Sequence, residues 1–136
     1  MLVEHARNVL GIVTASHAET STDGEQVITP LSCSLDGQTI EVQLTPGTRL
    51  ATLHDHVASV SEFTTCNYGL DPMRQDIASS GGMVVSGIDD TGEVRAIERV
   101  DHPFFVGTLY QPQLRTTPVA PHPIWLGFLH ACSDHG

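Results

Sequence analysis

DHPFFVGTLYQPQLRTTPVAPHPIWLGFLHA, residues 101–131, is the stretch on which the fold turns. Its first part, Phe104 to Tyr110, is apolar almost throughout, the composition of a strand covered on both faces. A Thr/Pro-rich connection follows from Leu114 to Pro121. Pro123 then suits a first helical position, where its missing N–H costs nothing. Ile124, Trp125, Phe128 and Leu129 share one face of a closing helix that ends near Cys132. A buried strand followed by an amphipathic helix points to an α/β domain.

Upstream, Met83 to Ile88 and Glu93 to Val100 are two strands around the hairpin turn Asp89-Asp90-Thr91-Gly92. Asp71-Pro72 opens a helix that Ser79-Ser80-Gly81-Gly82 breaks. The glycine pair lacks the spacing of a phosphate loop. Val60 to Tyr68 is a strand of mixed character, and Leu50 to His54 a short helix. Ile40, Val42 and Leu44 alternate with polar residues, as in a half-buried strand that Pro46-Gly47 ends. Val27 to Leu35 is extended around Pro30, and residues 14–26 are polar enough for a loop. Leu2, Val3, Ala6, Val9 and Leu10 make one face of an N-terminal helix, with Gly11 as its terminator. No capping residue precedes it, so the helix is expected to continue structure lying upstream. Three or four helices and about five strands, without internal repeat, make one domain over residues 1–136.

With 136 residues, 40% of them apolar, the chain can bury a core and is not expected to be disordered. A net charge of −10 argues against nucleic acid, whose phosphates would repel it. No apolar run reaches membrane-spanning length, and charges come too early for a secretory leader. Cys33, Cys66 and Cys132 are odd in number and lack CxxC spacing, as in a reduced, cytoplasmic protein.

The order of these segments, and above all residues 101–131, resembles the end of a class I glutamine amidotransferase domain of the CTP-synthase type. The likeness is closest to a subgroup related to the CTP-synthase C-terminal region. It is strong at 2–11 and 101–131, weak at 12–58, and covers most of the chain. It implies a partial three-layer, flavodoxin-like α/β domain with a mixed sheet of about five strands. Pyrimidine metabolism is the context it suggests. The family hydrolyses glutamine through a cysteine thioester, with a histidine managing protons and a glutamate orienting it. The family's His-Pro-Glu matches Gln111-Pro112-Gln113. A glutamine amide has no basic site near pH 7, so Gln111 cannot be a general base, and Gln113 cannot supply the negative charge. The substrate-gripping arginine matches Asn67, just before Tyr68, and asparagine brings neither charge nor fork. The nucleophile elbow would precede Leu2.

The expectation is therefore a catalytically degenerate amidotransferase-like domain with no cofactor. It would self-associate or take a partner chain that completes the sheet. Two alternatives are an active, diverged enzyme completed by an N-terminal half or partner, and a module binding a small metabolite. Gln111 and Gln113 could serve a new site, but a structural role is favoured. Cys66 beside Asn67 could form a replacement Cys–His pair, yet a small buried hydrophobe is the commoner case. His54-Asp55-His56 and His17-Ala18-Glu19 are weak metal-like pairs without a third ligand at motif spacing, so no metal is expected. His102 and His122, each before a proline, are expected to hold the strand and helix entries.

Overall fold

The computed structural model describes residues 1–134 of the 136-residue chain. Helix α1 (Leu2–Asn8) has Met1 at its N-cap without a side-chain bond and ends at Val9, two residues before Gly11. Strands β1 (Ala15–His17) and β2 (Glu25–Pro30) pair in parallel. Strand β3 (Gln38–Leu44) leads into the short helix α2 (Arg49–Leu53). Strands β4 (Ser59–Thr64) and β5 (Tyr68–Leu70) follow, then a 3-10 segment at Pro72–Ser79. The hairpin β6 (Met83–Ile88) and β7 (Val94–Arg99) is followed by β8 (Val106–Thr108), a 3-10 turn at Pro112–Leu114 and helix α3 (Pro123–Asp134). The α/β class and a sheet of five strands are present as expected, but the mixed pairing expected of that sheet is found instead in a second, three-stranded one. The larger sheet, in the order β4-β3-β6-β7-β8, is antiparallel throughout, and the smaller one, β1-β2-β5, is mixed.

Three layers result. One core joins α1, the small sheet and the 3-10 segment to one face of the large sheet, through Ala6, Val27, Leu70, Ile77, Met83 and Ile97. The other joins α2 and α3 to the opposite face, through Val42, Leu44, Leu50, Ala96, Tyr110 and Ile124. Adjacent residues of β7, Ala96 and Ile97, thus face different cores, because side chains alternate across a strand. This strand, buried along nearly its whole length, is the one covered on both faces.

Four local expectations need correction. The polar stretch 14–26 holds β1, whose Ala15 and Ser16 are buried. Its strand character comes from pairing with β2, which composition does not show. Val60 to Tyr68 is two strands in two sheets: Thr64 Oγ donates to Leu109 O (2.7 Å) and accepts from Cys66 N–H (3.2 Å), turning the chain at Thr65–Asn67. The helix after Asp71 is a 3-10 segment with non-helical Arg74 inside it (φ −123°). The Phe104 to Tyr110 run is strand only at Val106–Thr108, half-buried and hydrogen-bonded to β7 on one side. Its phenylalanines precede that strand and pack against different cores, Phe105 against the first and Phe104 against the second. Gly81 is a turn residue, as expected: its φ is +58°, and a Cβ there would come within 2.7 Å of Val9 Cγ1.

Candidate functional site

In a His-Pro pair the proline has no N–H, so the first free donor after the histidine lies two residues on. Both such pairs exploit this. His102 Nδ1 accepts from Phe104 N–H (3.1 Å), and His122 Nδ1 accepts from Ile124 N–H (3.2 Å). The two rings fold back on the chain and set the entries to β8 and α3, the structural role expected of them.

Between these entries, β8 separates two clefts. The first, about 390 Å³, is lined by Thr65 to Tyr68, by Arg95 to Ile97 of β7 and by Gly107 and Thr108 of β8. Asn67 and Tyr68 stand here. Asn67 is exposed, and its Oδ1 accepts from Ser34 Oγ–H (2.6 Å). Tyr68 packs its ring 5.3 Å from that of His17. Arg95, 3% exposed, is the guanidinium among the described residues lining this cleft. It is already paired: Nε donates to Asp89 Oδ2 and Nη2 to Glu93 Oε2, each at 2.7 Å. Burial alone would raise the Asp89 pKa. Hydrogen bonds from the Thr91 hydroxyl, Arg95 and the Glu93 N–H reverse this and hold it below the usual carboxylate range. Two carboxylates around one guanidinium leave little positive charge for an anionic ligand.

The second cleft, about 530 Å³, holds Gln111 and Gln113 beside Phe104, Tyr110, Trp125 and Phe128. Gln111 ties the end of β8 to the end of β4. Its N–H donates to Phe63 O (2.9 Å), and its Oε1 accepts from Thr65 N–H (2.8 Å). Gln113 is exposed on the 3-10 turn. The four positions that the resemblance groups therefore lie in two clefts, with Asn67 and Tyr68 in one and both glutamines in the other.

The remaining sequence candidates also fall into place. Cys66 Sγ donates to Tyr68 O (3.2 Å) and is half-buried, while Cys33 and Cys132 are exposed. His17 Nδ1 accepts from Glu19 N–H (3.1 Å), which makes that pair a local turn. His54 and His56 are not partners: the chain turns through positive φ at Asp55 and His56, and His56 is exposed.

His54 instead meets residues far away in sequence. Glu62, on the inward face of β4, and His122, before α3, lie against it, with the two imidazole rings 5.4 Å apart. Because His122 Nδ1 is an acceptor, its Nε2 carries the proton and donates to Glu62 Oε1 (2.9 Å). Burial lowers the His54 pKa, as does the neighbouring His122; Glu62 and Asp55 oppose this. Burial and the Glu62 carboxylate push the Tyr110 hydroxyl above its ordinary range. The sequence did carry a signal. Val60, Glu62 and Thr64 share a face by alternation, so a glutamate at the middle position stands among residues that face the core.

No family model matches the chain. A CTP synthase of Sulfurisphaera tokodaii is 30% identical over 142 residues, covering 97% of this chain and 27% of the relative. One of Saccharolobus solfataricus is 33% identical over 143 residues, covering 98% and 26%. The chain thus spans about a quarter of the length of these curated relatives. The Trypanosoma brucei CTPS glutaminase domain, solved with bound acivicin, superposes with a TM-score of 0.90 at 22% identity, over 98% of this chain and 56% of that one. Among the described residues, no helix is long and apolar enough to cross a membrane.

Proposed function

We propose that this chain, a glutamine amidotransferase domain of the CTP-synthase type, retains the family's frame without its glutamine hydrolysis. It corresponds in this view to the C-terminal half of the family domain. The observation that carries the proposal is the state of Gln111. At the position of the family's proton-managing histidine stands an amide whose oxygen is occupied by the Thr65 N–H. An amide there neither takes a proton from a thiol nor delivers one to a leaving amine. Gln113 offers no carboxylate, and Asn67 is exposed and already bonded to Ser34. Cys66, the cysteine lining the first cleft, sits between two strands and donates to a carbonyl.

Purified protein incubated with glutamine is expected to release no ammonia above background. The rate should lie on the order of 10⁴- to 10⁶-fold below that of an enzyme with an intact triad. Restoring the two side chains together, Gln111→His with Gln113→Glu, should not recover it, because among the described residues no cysteine lines the cleft that holds them. Glutamine-dependent ammonia release that disappears in Cys66→Ala would refute this.

The same proposal includes association, either with a second copy or with a partner chain that extends the large sheet. Two features support it. Strand β8 uses its backbone on the β7 side, as the outermost strand of that sheet. Helix α3 leaves Trp125, Leu126, Phe128 and Leu129 between 41% and 58% exposed, an apolar strip beside that edge. Open edges and apolar strips together favour assembly. Light scattering at micromolar concentration should give a mass of at least twice 14.6 kDa, or a complex with a co-purifying chain. A monomer with a single cooperative melt would contradict it. The second cleft, with its two glutamines, would then lie at the junction.

A further inference from the structure

We propose that His54, Glu62 and His122 form a site for one divalent transition-metal cation of the zinc class. One ligand atom from each residue lies within 4.8 Å of the other two. The three come from the end of α2, the inner face of β4 and the entry to α3, so the site is assembled by packing. Two imidazoles and one carboxylate, with a fourth position left over, are a donor set that tetrahedral Zn²⁺ accepts.

An independent observation points the same way. Glu62 Oε2, His54 Nε2 and Tyr110 Oη are all buried without a hydrogen-bond partner. Glu62 is 3% exposed, and its hydrogen-bond partner among the described residues is His122. That histidine is neutral when its Nδ1 accepts the Ile124 N–H, so the carboxylate charge is not cancelled. A buried carboxylate with an unused oxygen, facing an unused ring nitrogen, is an arrangement that one cation satisfies at once. The Asp89, Glu93 and Arg95 group offers no such opportunity, because its side chains already have hydrogen-bond partners.

Coordination has a definite cost. His122 Nε2 now donates to Glu62 Oε1. For Nε2 to bind the cation, the ring proton moves to Nδ1 and the Ile124 N–H bond, long at 3.2 Å, is given up. No proton leaves the ring in this exchange. The cation would join α2, β4 and α3, and its role is structural.

The test uses the full chain stripped with a chelator and titrated with ZnCl₂ near pH 7.5, with any partner that co-purifies retained. One equivalent should bind per chain. ¹⁵N shifts of the His122 ring should show the proton moving from Nε2 to Nδ1. His54→Gln removes a ligand without breaking any hydrogen bond of the structure. It should weaken binding by more than the about 10- to 100-fold typical of an outer-shell partner. Glu62→Gln, which keeps an acceptor for His122, should weaken it as well. His56→Gln should leave it unchanged. Absence of saturable binding by the folded wild-type chain, or binding undiminished in both His54→Gln and Glu62→Gln, overturns the proposal.

Discussion

Replacing His122 with alanine is expected to destabilise the metal-free chain by about 2–4 kcal/mol, the cost of leaving a buried carboxylate and a helix-start N–H without hydrogen-bond partners. Two losses combine. Glu62 Oε1 loses its donor, and both oxygens of a carboxylate that is 3% exposed are then unpaired. The Ile124 N–H, one of the orphan donors at the start of α3, loses its acceptor. Urea denaturation should show a lower midpoint with little change in slope. Amide exchange should accelerate first across Pro123–Asp134, because His122 holds that helix to β4. The double variant Glu62→Gln with His122→Ala should cost clearly less than the sum of the two single changes, since the second no longer strands a charge. Strict additivity would mean that the buried pair is not what holds the helix.

Glu98→Ala is expected to cost about 2–4 kcal/mol, from two hydrogen bonds to a charged acceptor. Glu98 lies on β7 and is 4% exposed, yet it acts on α2. Its Oε1 accepts from Arg49 N–H (2.7 Å) and its Oε2 from Leu50 N–H (3.0 Å). These are the first two donors of a helix of only five residues, whose Thr48 cap satisfies a third at Ala51. A carboxylate at a helix N-terminus also meets the positive end of the dipole. Glu98→Gln keeps one oxygen and should lose roughly half as much. Thermal melts of both variants, with Arg49 and Leu50 amide exchange, measure this. If glutamine and alanine were equivalent, the capping role would be wrong. Because α2 ends at His54, its loosening should also reach the histidine cluster.

How much was legible in the sequence varied by segment. The hairpin β6–β7 stood out because Asp89 to Gly92 is a local turn between two apolar runs. The closing helix was equally plain, its period set by residues that are neighbours along the chain. By contrast, β1 was hidden in a polar stretch, and the break between β4 and β5 in an unbroken strand-like run. Both depend on pairing with residues far away in sequence, and local composition carries no record of that pairing.

The candidate site divides in the same way. That Gln111 and Gln113 lack basic and acidic groups follows from their identity, and no fold alters it. That Gln111 is bonded to Thr65 and faces a different cleft from Asn67 required the structure. His54 shows the point most clearly. By spacing its partner would be His56, but positive φ at both Asp55 and His56 turns the chain there. Its neighbours are Glu62 and His122 instead.

By itself the sequence determined the α/β class, the hairpin and the closing helix, and that residues 111 and 113 carry amides. These rest on local periodicity and on the functional groups of single residues. Tertiary structure alone decided which polar groups are buried together, which of them are paired, and which edge of the sheet stands at its margin. The physical reason is that burial and hydrogen-bond partnership belong to pairs of residues, such as Glu62 and His122 sixty positions apart, and only packing brings such pairs into contact.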